Sequence, residues 1–296
     1  MELRVLQYFL MVAREENITR AANLLHITQP TLSRQLKQLE DELGVMLFTR
    51  SNRQITLTEE GMLLRRRAEE LVSLAEKTVT ELSHHKETLS GTIAIGSGEY
   101  HSTDFLAELI ASFQKQHPLV QFTLYSGNAD NIKERIEHGL LDLGLLQEPV
   151  DISRYSFLRL PLREKWGALV PLSLPLAAQD AATPAALAAL PLILPERESL
   201  RHELANWFGD YAEELRCTCS GNLLYNLAMM ARKTGSVVLT IILDCQYEGL
   251  RFVPLSPALE SSTVLAWKKA QVFSPATEAF INHAQQYILS MTEHRS

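Results

Sequence analysis

The sequence predicts a multidomain chain of α and α/β class, and three observations carry that prediction. Residues 19–57 hold small and apolar side chains at helical spacing, closed by a glycine and two short β-like runs. A helical pattern without proline or glycine then runs from Met62 to about Ser90. Beyond Gly91 the composition changes to glycine and proline punctuation, short β-branched runs and intervening helical stretches, the mark of an α/β unit with a mainly parallel sheet. In order, these give an N-terminal winged helix-turn-helix over residues 1–60, a linker and dimerisation helix over 61–90, and an α/β domain over 91–296.

The first helix, Leu3 to Arg14, carries Leu6, Phe9, Leu10 and Ala13 at helical spacing. Thr19 is placed to cap a second helix, where Ala21, Ala22 and Leu25 form a small apolar face that lets a neighbour approach closely. His26 and Ile27 turn the chain, and Thr28 caps a third helix with Pro30 in its first turn, where the missing N–H is no loss. Leu32, Leu36, Leu39 and Leu43 share one face of this helix and predict its buried side.

The opposite face is fixed by that choice. Gln29, Thr31, Ser33, Arg34 and Lys37 are hydrogen-bonding or cationic and none is acidic, which suits a helix lying in the major groove of DNA. Gly44 stops the helix, and Met46–Arg50 and Gln54–Leu57 flank Ser51-Asn52-Arg53 as a small hairpin. The candidate DNA-binding residues are therefore Thr28, Gln29, Pro30, Thr31, Ser33 and Arg34 at the start of the helix, with Lys37, Arg50 and Arg53 on phosphates. The leucine stripe alone also fits a helical hairpin inside a larger core.

Thr58 can cap the long helix, and Glu59 and Glu60 suit the positive end of its dipole. Along it Leu64, Ala68, Leu71, Ala75, Thr78, Leu82 and Leu89 follow a four-and-three spacing, with His85 in one slot, as in a helix that pairs with a second copy. A helix lying on its own domain is the competing reading. The dimer is preferred because two recognition helices could then read half-sites roughly 34 Å apart.

At 296 residues, 46% hydrophobic and 21% charged, the composition is that of an ordinary globular protein. No apolar run reaches the roughly 18 residues of a membrane span, and the amino end lacks a signal pattern, so the expected location is the cytoplasm with no membrane partner. A net charge of −7 does not by itself favour DNA. The first 61 residues are nearly neutral, however, and their basic residues Arg34, Lys37, Arg50 and Arg53 fall on the elements expected to meet phosphates. Cys217, Cys219 and Cys245 are too few for a disulfide scaffold, and a strand over 215–219 predicts both paired thiols on one buried, inert face. No P-loop, G-x-S-x-G, H-E-x-x-H or G-x-G-x-x-G after a strand occurs. Neither a catalytic residue, a metal nor a cofactor is expected.

Beyond Gly91 the expected elements are a strand at Thr92–Gly96, a helix at Phe105–His117 stopped by Pro118, a strand at Val120–Tyr125, a helix at Asn128–His138 and a buried strand at Leu141–Leu146. Further on come Trp166–Val170, Pro191–Leu194, a helix at Ser199–Phe208, the apolar Val237–Leu243 and a final helix at Ser274–Ser290.

Strand carboxyl ends and helix amino ends are where such a sheet binds ligands, because free N–H groups meet there. Four segments qualify: Ser97-Gly98-Glu99-Tyr100, Gly127-Asn128, Glu196-Arg197 before the helix at Ser199, and Thr240. Ser97 and Ser199 serve equally well as helix caps, Asn128 as a turn residue and Thr240 as core. Glu99 beside a helix amino end competes with an anionic ligand. Either the ligand is neutral or amine-bearing, or Arg197 balances the charge.

The order Ala21-Ala22, Leu25, Thr28-Gln29-Pro30, Leu32-Ser33, Gln35-Leu36, Leu39-Glu40, Leu43-Gly44, Leu47-Phe48, Arg50, Arg53, Leu57-Thr58 and Gly61 resembles the LysR-type transcriptional regulators of bacteria over the whole DNA-binding segment. Gly91-Thr92-Ile93-x-Ile95-Gly96, Phe113, His117-Pro118, Gly139 and Asp142-Leu143-Gly144 resemble that family's effector-binding domain, which is similar to the two-lobed type 2 periplasmic binding proteins. Thr234–Ile241 departs from the glycine-rich, proline-ended turn of many members.

The resemblance implies two crossings between lobes, near Leu160–Arg163 and Val264–Lys268, so that lobe 1 is 91–161 and 267–296 and lobe 2 is 162–266. It implies a transcriptional regulator that binds double-stranded promoter or operator DNA as a homodimer or homotetramer. Its small-molecule effector would lie among Ser97, Gly98, Glu99, Tyr100, Asn128, Glu196, Arg197, Ser199 and Thr240. The rivals are a ligand-binding protein whose amino end only dimerises, and an enzyme.

Overall fold

A computed structural model describes residues 1–50, 55–83, 89–269 and 271–293. Ser51, Asn52, Arg53, Gln54, His84 and His85 lie outside the described residues, as do the side chains of Arg50 and Leu82. The chain divides into two compact units, Met1–His85 and Lys86–Ser296.

The first unit comprises α1 (Leu3–Glu15), α2 (Ile18–Leu24), α3 (Gln29–Leu43), the antiparallel pair β1 (Phe48–Arg50) and β2 (Ile55–Leu57), and α4 (Glu59–Ser83). Its core is built by Val5, Leu6, Phe9 and Val12 of α1, Ala21 and Ala22 of α2, Leu32, Leu36 and Leu39 of α3, Leu47, Phe48 and Ala68. Leu10 and Ala13, expected at the centre of the first stripe, are half-buried instead.

Three further local expectations are corrected. Asn17, not Thr19, caps α2, its side chain accepting from the Arg20 amide at 2.9 Å. Thr28 occupies the N-cap position of α3, but its hydroxyl pairs with that of Thr31 at 2.9 Å rather than with the backbone. Leu43, in the last helical position before the left-handed Gly44, is 40% exposed, because the packed neighbours end with Leu39.

Glu40, in the acidic run at the far end of α3, is buried. It lies four residues beyond Leu36 and so on the packed side of α3, where its carboxylate accepts from the Leu47 and Phe48 amides at 2.8 and 3.2 Å. The adjoining loop is as tight. A Cβ at Gly61 would stand 2.1 Å from the Leu47 carbonyl oxygen, so no larger residue fits there.

The second unit contains β3 (Gly91–Ser97), α5 (Thr103–Gln116), β4 (Val120–Ser126), α6 (Ala129–Glu137), β5 (Leu143–Gln147), β6 (Tyr155–Pro171), α7 (Pro184–Ala188), β7 (Pro191–Pro195), α8 (Glu198–Phe208), β8 (Arg216–Gly221), α9 (Leu224–Thr234), β9 (Val237–Ile241), β10 (Leu250–Pro254), β11 (Glu260–Lys268) and α10 (Pro275–Glu293). Two five-stranded sheets share β6. In lobe 1 the order is β4-β3-β5-β11-β6, and in lobe 2 it is β10-β6-β9-β7-β8. Tyr155–Lys165 of β6 pairs with β11, and Trp166–Leu169 already pairs with β9. On the return, β11 reaches β5 at Thr263, beside an irregularity in its pairing with β6 between Ser262 and Val264.

Each sheet is covered on both faces. Phe105, Leu109 and Phe113 of α5 and Phe280 and Ala284 of α10 pack on one side of lobe 1, while Ala129, Ile132 and Ile136 of α6 pack on the other. In lobe 2, Ala168 and Val170 of β6 meet α8 through Leu200, Leu204 and Phe208, and Leu169 between them meets α9 through Leu227 and Ala231.

The cysteine expectation is overturned: Cys217 and Cys245 are exposed and Cys219 is half-buried. β8 is an edge strand, and Leu192 pairs with Cys217 while Ile193 pairs with Cys219. Thr218 is thus an extra, bulged residue that breaks the alternation the prediction relied on.

Truncation separates the two ends of the leucine stripe. Leu36→Ala is expected to destabilise the first unit by about 2–5 kcal/mol and Leu43→Ala by no more than about 0.5 kcal/mol, read from hydrogen exchange at the α1 and α3 amides. Glu40→Ala, which leaves two buried amides without their acceptor, is expected to cost about 1–3 kcal/mol in the same measurement; a change as small as that of Leu43→Ala would remove Glu40 from the frame.

Candidate functional site

Two surfaces collect the residues singled out from the sequence, one in each unit. On α3, successive residues turn by about 100°, so a buried line of Leu32, Leu36 and Leu39 leaves Pro30, Arg34, Lys37, Gln38 and Asp41 at the centre of the opposite side. All five are exposed, as are Thr28 and Gln29 at the helix start, while Thr31 and Ser33 are half-buried on the flanks. The outermost band therefore carries two cations, with one carboxylate about one turn beyond Lys37 and two beyond Arg34. The backbone of Arg50 ends β1, but its side chain and all of Arg53 lie outside the described residues.

The second surface is a cleft between the lobes enclosing a cavity of about 80 Å³. Gly98, Glu99, Tyr100, Asn128, Glu196, Arg197 and Thr240 line it, and Ser97 and Ser199 do not. Ser97 is buried beneath and donates to the Gly98 carbonyl at 2.8 Å. Ser199, in the first turn of α8, donates to the Pro149 carbonyl at 3.3 Å. Neither hydroxyl caps a helix. Asn128 does: its side chain accepts from the Asp130 and Asn131 amides at 3.0 and 2.9 Å, so the turn and the cleft contact belong to one residue.

Arg197 is 8% exposed and spans the lobes from the start of α8. Its two terminal nitrogens donate to the Gln147 and Pro149 carbonyls at 3.3 and 2.8 Å, and its Nε stands 3.9 Å from an Asp130 oxygen. Tyr100 packs against the cores of both lobes. Its ring folds back over Gly98, where a Cβ would come within 2.4 Å of it. Burial outweighs the opposing pull of Arg197 and the Gln147 backbone and pushes the Tyr100 phenol up to about 12, so it stays neutral in the cleft.

Carboxylates meet backbone amides at two helix starts here. Glu164 of β6, fully buried, accepts from the His101 and Ser102 amides at 2.9 and 3.0 Å, just ahead of α5. Glu99 of lobe 1 accepts from the Leu224 amide, the first residue of α9 in lobe 2. Gln147 and Trp166, which complete the floor, both donate to the Ser261 hydroxyl, at 2.8 and 3.2 Å.

Sequence reasoning missed Gln147, Glu164, Trp166, Asn222 and Leu224. Glu164 left a trace: it lies two residues from Trp166, on the inward side of a strand whose Arg163 and Lys165 are exposed. Among the described residues no three His, Cys, Asp or Glu side chains are grouped to hold a metal ion, and no helix is long and apolar enough to cross a membrane.

The family model for bacterial regulatory helix-turn-helix proteins of the lysR family matches residues 3–62, and that for the LysR substrate binding domain matches residues 86–288. The HTH-type transcriptional regulator BsdA of Bacillus subtilis is 41% identical over 143 residues, about half of either chain (48% of this one, 49% of BsdA). The Hca operon transcriptional activator HcaR of Escherichia coli is 28% identical over 99% of this chain and 100% of its own length. The crystal structure of full-length CbnR complexed with its target DNA superposes with a TM-score of 0.74 at 20% identity, covering 97% of this chain and 99% of CbnR, which shows a shared fold. With both units matched in order, this chain belongs to the LysR family of bacterial helix-turn-helix regulatory proteins.

Proposed function

We propose that this chain is a sequence-specific transcriptional regulator that binds double-stranded promoter or operator DNA through α3 under the control of a small-molecule effector held between its two lobes. The observation that carries the reading is the polarity of α3, with a fully buried leucine line on one side and Arg34 and Lys37 exposed on the other. A helix serving only as internal packing has no use for that cationic side. CbnR, with the same fold, is described in complex with its target DNA.

Gln29, Thr31, Ser33 and Arg34 read base edges, Thr28 and Pro30 set the helix start, and Lys37, Arg50 and Arg53 meet phosphates. Two copies pair through the second half of α4. Its first half packs on α1 through Leu64, Ala68 and Val72, so part of the helix does lie on its own domain, but Leu71, Leu74 and Val79 are exposed. A homodimer, or a homotetramer of two dimers, covers them. The working division is 1–60 for DNA, 61–90 for pairing and 91–296 for the effector, and the place of action is the cytoplasm.

The effector contacts are Gly98, Glu99, Tyr100, Asn128, Glu196, Arg197 and Thr240, with Ser97 and Ser199 supporting them. Ligand binding biases the relation between lobes, which alters how protomers pack and so the spacing of the two recognition helices.

Genomic fragments selected by the purified full-length protein test this. A small set of roughly two-fold symmetric sites is expected, and Arg34→Ala is expected to lose it. Lys37→Ala should weaken all sites about equally and reduce the slope of log affinity against log salt by about 1. Failure of the wild type to enrich any fragment over random DNA at moderate salt would overturn the reading.

A further inference from the structure

The helix starts of α6 and α9 reach this cleft, that of α5 lies beside it, and at each the chain's own oxygens take the amides. The Asn128 side chain takes the two amides at the start of α6, Glu164 takes the two ahead of α5, and Glu99 takes that of Leu224 at the start of α9. Arg197, the one buried cation among the described residues, is engaged as well, giving both terminal nitrogens to backbone carbonyls. Only its Nε lacks a hydrogen bond, and Asp130 stands beside it. Glu99 and Glu196 face the same small space.

We propose that Glu99 is the resident anion of this cleft. Seated on α9, it takes the place a ligand carboxylate would hold, fastens lobe 1 to lobe 2, and reserves the cavity for a small effector that is uncharged or amine-bearing. The proposal rests on the effector reading of the cleft given above. Three features select that ligand class. A carboxylate entering from solution must first displace Glu99 from the Leu224 amide, against a competitor whose tether gives it a local concentration on the order of millimolar. It then shares the cavity with the carboxylate it displaced and with Glu196, while both terminal nitrogens of Arg197 are already committed and its Nε faces Asp130. An uncharged or cationic group meets none of these obstacles and finds acceptors ready.

Glu99 is exposed on its outer side, so replacing it leaves no buried void. The test compares full-length wild type, Glu99→Ala and Glu99→Gln by thermal unfolding in sodium acetate and in sodium chloride at matched ionic strength. Glu99→Ala is expected to melt lower in chloride and to be restored saturably by acetate, with an apparent affinity at least roughly ten-fold above any wild-type response, because the tethered competitor is gone. Glu99→Gln keeps an acceptor for the Leu224 amide without the charge, so it should fold in chloride and respond to acetate between the other two; it carries the comparison if the alanine variant does not fold.

Acetate stabilising the wild type as strongly as the variants would overturn the proposal, as would variants indifferent to acetate. Retention of genomic fragments by the same wild-type preparation is read separately. Its failure would count against the regulator and leave the acetate comparison intact.

Discussion

A backbone amide withdrawn from water needs an acceptor, and leaving one without costs about 1–3 kcal/mol. Much of this structure is arranged by carboxylates that meet that need. Glu40 gathers the Leu47 and Phe48 amides and so joins α3 to the strand after it. Asp142 accepts from the Ala94 amide at 2.8 Å and ties the start of β5 to β3. Glu164 holds the chain ahead of α5 against the strand common to both lobes. In each case a charge is kept under cover because it ends a stretch of backbone that would otherwise be unanswered.

That common strand is what joins the two lobes into one body. β6 belongs to both sheets, and β11 runs beside it until the pairing becomes irregular at Ser262–Val264. The surrounding side chains are polar and hydrogen-bonded: Gln147 and Trp166 donate to Ser261, and Thr263 donates to Ser102 at 2.9 Å. Hydrogen bonds between small side chains can be exchanged for others at modest cost, whereas interdigitated apolar packing resists sliding. The junction between the lobes is thus polar, with each lobe's apolar layers kept apart.

Charge is distributed in the same spirit. The chain is acidic as a whole, at −7, yet Arg34 and Lys37 stand exposed opposite the buried line of α3. The cleft follows the reverse rule, with its buried Arg197 hydrogen-bonded to two carbonyl oxygens and set 3.9 Å from the Asp130 carboxylate.

By itself the sequence determined what periodicity and backbone stereochemistry encode. The line Leu32, Leu36, Leu39, the stop at Gly44, the proline in the first turn of α3 and the strand-helix alternation after Gly91 were legible, because each depends on residues within a turn or two of one another. The segments around the cleft were legible too, since strand and helix ends are local features. Tertiary structure alone decided the partners. Leu43 continues the leucine spacing but has nothing opposite it; Glu40 looks like solvated acid but meets the amides of another element. Cys217 and Cys219 alternate on paper but are separated by a bulge on an edge strand. Glu99 finds its helix start 125 residues away. Spacing says which side of an element is to be covered, but what covers it depends on which surfaces the folded chain brings together, and contacts so distant in sequence leave no period to read.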